Sequence, residues 1–164
     1  MVNIHKGDLK MLKEGDKIPN FNVKNSKGDD ISNESIAGKK VIFYFYPKDD
    51  TPGCTKEGQA FSENKSEFDK LGIEIYGISK CSVTKHQKFC SKYSFEHELL
   101  SDEDNHLCED FGVWKEKSMY GRKYMGIERS TFLIDENGTI VQSWEKVKVT
   151  DHVKKVLEAA TNHA

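Results

Sequence analysis

The chain has no long apolar run, no Cys-x-x-Cys pair and almost no net charge, and each absence removes a class of function. Nothing in its 164 residues approaches the ~18 consecutive apolar residues of a membrane-spanning helix. Met1 to Asn20 mixes charged and polar residues where a secretory signal needs an apolar stretch, so the expectation is a cytoplasmic protein. Lys and Arg number 25 against 27 Asp and Glu, a net charge of -2, which offers no electrostatic basis for binding nucleic acid or a membrane surface. The four cysteines, at 54, 81, 90 and 108, are too few and too scattered for a secreted disulfide scaffold. In a reducing compartment, any that matter are reactive rather than structural. The histidines at 5, 86, 97, 106, 152 and 163 form no His-Glu-x-x-His or other close ligand spacing, which leaves a zinc site only dispersed residues to draw on. There is no phosphate-cradling glycine loop, no flavin pattern, no internal repeat and no low-complexity tract. No cofactor is therefore expected.

What is present reads as one α/β domain. At about 100–200 residues per domain the length allows one, taken as residues 12–164 behind a loose extension over residues 1–11. Val41-Ile-Phe-Tyr-Phe-Tyr46 and Ile73-Glu-Ile-Tyr-Gly-Ile-Ser79 are β-branched and aromatic, and read as strands. The first is apolar on both faces, as in the centre of a sheet. Thr55 to Leu71 between them is long enough for a helix, with Gly58 a local cost, so the trio predicts a βαβ unit with parallel strands. A second helix is predicted over Val83 to Tyr93, capped by Ser82. Its spacing of Val83, His86, Phe89, Cys90 and Tyr93 turns Cys90 inward. A short helix over Asn105 to Phe111 follows. Strands Ser130–Ile134 and Thr139–Trp144 are joined by Asn137-Gly138, a hairpin signal, and a terminal helix covers Thr150 to Ala160 with Thr150 as a possible cap. Phe21 to Ile31 reads as a small hairpin turning at Lys27-Gly28.

The chemistry concentrates in Tyr46-Pro-Lys-Asp-Asp-Thr-Pro-Gly-Cys-Thr55, where a buried strand ends and a helix begins. In open α/β sheets, ligands bind at the carboxyl ends of strands. A cysteine at a helix start faces unpaired backbone N–H groups and the positive end of the dipole, both favouring thiolate, the nucleophilic form. Thr51 carries a hydroxyl that can donate and accept beside Cys54, and Pro47 and Pro52 stiffen the loop. From position alone Cys54 reads equally as a small buried hydrophobe.

Pro47-x-x-x-Thr51-x-x-Cys54 resembles the active-site signature of the peroxiredoxins, thiol peroxidases on a thioredoxin-like fold. Phe43 to Thr55, Tyr76 to Ser79, Leu99 to Asp104 and Gly126 to Ile134 are similar to landmarks of the bacterioferritin-comigratory, or Q-type, subfamily. The resemblance spans about Leu12 to Leu157 and implies a three-layer thioredoxin-like fold with a central mixed sheet and an N-terminal hairpin. It implies that Cys54 attacks a hydroperoxide, that Thr51 hydrogen-bonds it, that Pro47 shields the pocket, and that Arg129 supports the thiolate. Without it, Arg129 reads as a surface ion-pair partner. Many Q-type proteins carry a resolving cysteine five residues after the peroxidatic one, where this chain has Gln59. Another branch places it where Cys90 lies, which implies a Cys54–Cys90 disulfide re-reduced by a thioredoxin- or glutaredoxin-type donor in a monomer. If Cys90 is only core, an external thiol resolves Cys54. A general disulfide oxidoreductase is disfavoured by the missing Cys-x-x-Cys, and a non-enzymatic redox sensor or holdase is the remaining alternative. Cys81 reads as a loop thiol without a family role, Cys108 as core, and His86 as a packed histidine outside the catalytic set.

Overall fold

Six consecutive residues, Val41 to Tyr46, are all but sealed from solvent, because the strand they form lies at the centre of the sheet and is covered on both faces. The computed structural model describes residues 10–164. Residues 1–9 of the expected loose extension lie outside the described residues, whereas Met11 packs on the core. In chain order the elements are β1 (Asn22–Asn25), β2 (Asp30–Ser32), α1 (Asn33–Ile36), β3 (Lys40–Phe45), α2 (Pro52–Glu63), α3 (Lys65–Lys70), β4 (Ile73–Ser79) and α4 (Val83–Tyr93). They continue with β5 (Glu98–Ser101), α5 (Leu107–Asp110), β6 (Trp114–Met119), β7 (Arg122–Ile127), β8 (Ser130–Ile134), β9 (Ile140–Trp144) and α6 (His152–Asn162).

Seven strands form one sheet in the order β2-β1-β5-β4-β3-β8-β9, and β6 and β7 form a separate ribbon. β3, β4 and β5 run parallel, as the βαβ reading requires, while β8 and β9 return antiparallel and β1 joins β5 antiparallel. The sheet is therefore mixed. Alternation along β3 feeds two cores: Val41, Phe43 and Phe45 enter one with Phe111 and Phe132, and Ile42, Tyr44 and Tyr46 enter the other with Phe61, Phe68 and Val153. Helices α2, α3, α4 and α6 contribute to the second core, and the short α1 and α5 to the first, giving three layers.

Several boundaries differ from expectation for local reasons. The helix expected over residues 55–71 begins at Pro52 and breaks at Asn64, where φ −97° and ψ 4° leave the helical region while its backbone N–H (3.2 Å) and side-chain amide (2.8 Å) both donate to Ala60 O, and α3 starts at the next residue. The helix expected over residues 105–111 is only Leu107–Asp110, started by the buried Asp102 carboxylate, which accepts from Leu107 N at 2.9 Å and Cys108 N at 2.8 Å. The N-cap position of α6 is held by Asp151, in a left-handed conformation and without a side-chain cap bond, rather than by Thr150, and the helix runs on to Asn162. Missed altogether are α1, the four-residue β5, and the β6–β7 ribbon. That ribbon is mostly exposed on both faces and so shows no apolar alternation, and it turns at Tyr120-Gly121 with both residues at positive φ.

Gly58, costly in a helix interior, is explained by Phe95: a Cβ at Gly58 would lie 2.5 Å from Phe95 Cζ. Helix propensity alone predicts that Gly58→Ala gains about 1 kcal/mol. Overpacking typically costs about 1–3 kcal/mol, so the substitution is expected to lower the urea midpoint of unfolding. A raised midpoint would show that the Phe95 ring is free to move aside.

Candidate active site

β3 ends under cover, and the chain emerges at Pro47, turns through Asp50 at φ 59° and re-enters as α2. Thr51 is the extended N-cap and Pro52 the first helical residue, where its missing N–H costs no hydrogen bond. Cys54 is the third residue of the helix and is 2% exposed. The Thr51 hydroxyl does not cap the helix; it donates to Lys48 O at 2.9 Å. The first-turn N–H groups of Gly53 and Cys54 thus have no side-chain cap. Pro47 is exposed and lines the rim of a groove of about 530 Å³ with Lys48, Cys81, Trp114 and Tyr124.

Arg129 crosses 75 residues of sequence to reach this turn. Its Nη2 donates to Cys54 Sγ at 3.3 Å and its Nη1 to Glu57 Oε1 at 2.6 Å. The pairing of β8 with β3 sets this up: Ser130 lies opposite Phe45, so Arg129 stands beside the chain where it leaves β3. Gly53 leaves room for the approach, since a Cβ there would crowd Nη2 at 3.2 Å. Burial disfavours the guanidinium charge, but Glu57 and Cys54 outweigh it and raise the Arg129 pKa. Burial pushes the Glu57 carboxyl up to about 7 against the opposing pull of Arg129, and its Oε2 has no partner among the described residues. Lys117, whose ammonium donates to Ile127 O, is a second cation nearby; burial and then Arg129 lower its pKa. A sulfur facing a guanidinium and a helix N-terminus suits any step in which negative charge sits on or leaves that sulfur.

Of the residues predicted from sequence, Cys54 and Arg129 are in contact, Thr51 lies one turn before the sulfur, and Pro47 stands at the rim. Cys90 is on another helix. It is half-buried on α4 rather than fully inward, its thiol is free, and burial pushes its pKa up. Cys108 is fully buried, as expected of core, and Cys81 accepts the Asp49 N–H at 3.4 Å. Glu57 was missed, although its place three residues after Cys54 on a helix puts both on one face, which was the available signal.

A sequence model of the AhpC/TSA family matches residues 14–143. Peroxiredoxin Bcp of Xanthomonas campestris is 50% identical over 139 residues, covering 85% of this chain and 87% of that one. A solved structure of Xylella fastidiosa PrxQ, a cysteine-to-serine mutant, superimposes with a TM-score of 0.89 at 37% identity, covering 94% of this chain and 98% of that one. A structure concerned with the alkyl peroxide reduction activity of Xanthomonas campestris bacterioferritin comigratory protein matches with a TM-score of 0.83 at 46% identity, covering 87% and 91%. The fold is thioredoxin-like, and with such relatives the molecule is a thiol-dependent peroxidase. The chain belongs to the AhpC/TSA family, within it to the Bcp, or peroxiredoxin Q, peroxiredoxins.

Because folded Glu57 binds its proton more tightly than the unfolded carboxyl of pKa 4.5, its contribution to stability is complete below pH 4.5 and is lost as pH rises through about 7. Relative to Glu57→Gln, the wild-type unfolding free energy is expected to fall by roughly 3 kcal/mol across that window in urea titrations. Parallel pH profiles for the two proteins would contradict the burial of an ionisable Glu57.

Proposed function

We propose that Cys54 is the peroxidatic cysteine of a two-cysteine cycle in which Cys90 resolves the sulfenic acid. The observation that carries the reading is the 3.3 Å contact from Arg129 Nη2 to Cys54 Sγ at the first turn of α2. The Cys54 thiolate attacks the terminal oxygen of a hydroperoxide. The O–O bond breaks, the S–O bond forms, and the departing alkoxide or hydroxide takes a proton to leave as alcohol or water. Thr51 and the first-turn N–H groups orient the peroxide, Pro47 shields the sulfur, and Arg129 stabilises the charge that develops as the bond lengthens. Hydrogen peroxide and organic hydroperoxides are the substrate class, in keeping with the alkyl peroxide activity named for the Xanthomonas campestris relative.

The Cys90 thiol then attacks the Cys54 sulfur; the disulfide forms, and the sulfenic hydroxyl leaves with the thiol proton as water. At 2% exposure Cys54 is too enclosed for another protein's thiol to reach, which favours a disulfide carried toward the surface on α4. A thioredoxin- or glutaredoxin-type protein reduces that disulfide, and the enzyme works as a cytoplasmic monomer without a cofactor.

Peptide mapping of the reduced protein after one equivalent of hydrogen peroxide and then alkylation is expected to yield a linked Cys54–Cys90 peptide. A sulfenic or further oxidised Cys54 with Cys90 still alkylated would replace this cycle with resolution by an external thiol, and an unmodified Cys54 would remove it from the chemistry. Arg129→Gln and Thr51→Val are each expected to lower kcat/KM for hydrogen peroxide by about 100-fold, the scale of losing one positioned donor. Wild-type rates in both variants would sink their assignments.

A further inference from the structure

The two aspartates between Pro47 and Thr51 do not face the sulfur; both reach across to α4. Asp49 Oδ2 lies 2.6 Å from His86 Nδ1, in the first turn of that helix, and its Oδ1 accepts from Tyr46 Oη at 2.6 Å. His86 is fully buried, and its Nε2 donates to Leu100 O at 2.9 Å, so both ring nitrogens and both Asp49 oxygens are committed. The next residue, Asp50, holds the last turn: Oδ2 accepts from Lys92 Nζ at 2.8 Å and Oδ1 from Tyr93 Oη at 2.6 Å. Asp50 makes these bonds from a left-handed backbone, φ 59°, a conformation that aspartate tolerates better than most residues. Cys90 lies between the two anchor points.

We propose that Asp49–His86 and Asp50 with Lys92 and Tyr93 form a two-point clamp that fastens the Cys90 helix to the Cys54 loop and sets the rate at which the sulfenic acid is resolved. The inference rests on Cys90 being the resolving thiol. Both sulfurs are free in the clamped fold, one enclosed beneath Arg129 and the other on a formed helix, and a disulfide needs them about 2.05 Å apart. Local opening must therefore precede bonding, and α4 cannot leave the loop while both ends are held. The sulfenic acid persists for as long as the clamp does. During that interval a second hydroperoxide can carry it to sulfinic acid, transferring one oxygen and leaving as alcohol or water. The clamp thus determines how much peroxide the enzyme tolerates before Cys54 is inactivated.

The test uses the full chain in rapid-quench mass spectrometry, following sulfenic acid, disulfide and sulfinic acid separately after mixing with hydrogen peroxide. Asp49→Asn removes the charge from the buried anchor and is expected to speed disulfide formation about tenfold, as loss of a charge-assisted bond predicts. Sulfenic acid formation should stay within about twofold of wild type, because none of the clamp groups touches the sulfur; general loosening of the fold would slow that step as well. The peroxide concentration giving half sulfinic acid should rise in proportion. The double variant Lys92→Ala/Tyr93→Phe cuts the exposed anchor without disturbing the core and is expected to give about a twofold to threefold acceleration, so the idea is judged even where Asp49→Asn fails to fold. Unchanged or slower disulfide formation in the folded variants overturns the clamp. Absence of any Cys54–Cys90 disulfide in the wild type overturns the resolving role of Cys90, and the clamp with it.

Discussion

A guanidinium held between a buried carboxylate and a nearly buried sulfur is the constraint around which this molecule is arranged. Arg129, Glu57 and Cys54 come from a strand entry and a helix start far apart in sequence, and a charge so enclosed is tolerable only while its partners are in place. Holding it requires that β8 pair with β3 in one register and that α2 begin where β3 ends. A glycine at position 53 also keeps the approach of Arg129 uncrowded. The aromatic packing on both faces of β3 is what makes that register rigid: slipping β8 by one residue would turn Phe132 out of its core.

The same enclosure creates a conflict. In the proposed cycle the Cys54 sulfur must meet the Cys90 thiol, yet it is buried beneath a cation, and Cys90 sits on a helix whose two ends are tied to the loop preceding Cys54. Chemistry on peroxide favours the closed arrangement, since dry, oriented donors stabilise charge better than water does. The proposed transfer of the oxidation through Cys90 to a reducing protein favours an open one. Segments built to open come from the less stable part of a fold, and the loop from Pro47 to Thr51 fits that description: it is largely exposed, carries a left-handed aspartate, and is held to α4 by a few polar contacts.

The strands β3, β4 and β8 were legible because their runs are β-branched, aromatic and bounded by turn residues, and α4 because apolar residues recur at helical spacing behind a serine cap. The β6–β7 ribbon was not, because a strand pair exposed on both faces carries no burial pattern to read. A predicted single helix is split at Asn64, whose backbone departs from helical angles while its side-chain amide also bonds Ala60 O, a local turn that composition does not record. Within the site, the Pro47, Thr51 and Cys54 spacing marked the loop directly. Glu57 stood on the same face as Cys54 but looked like any surface glutamate until burial was known, and His86 was read as packing without its bonds to Asp49 and Leu100.

The resemblance to a thiol-peroxidase signature marked the loop, and local sequence alone determined strands β3, β4, β8 and β9, helix α4 and the position of Cys54 at a helix start after a buried strand. These depend on neighbours within a few residues, through backbone preferences, capping and side-chain periodicity. Tertiary structure decided which cation meets the sulfur, which carboxylate holds that cation, and which helix the loop is fastened to. Those contacts join residues 37 to 75 positions apart. Their strength comes from exclusion of water, which exists only once the two cores have closed around β3.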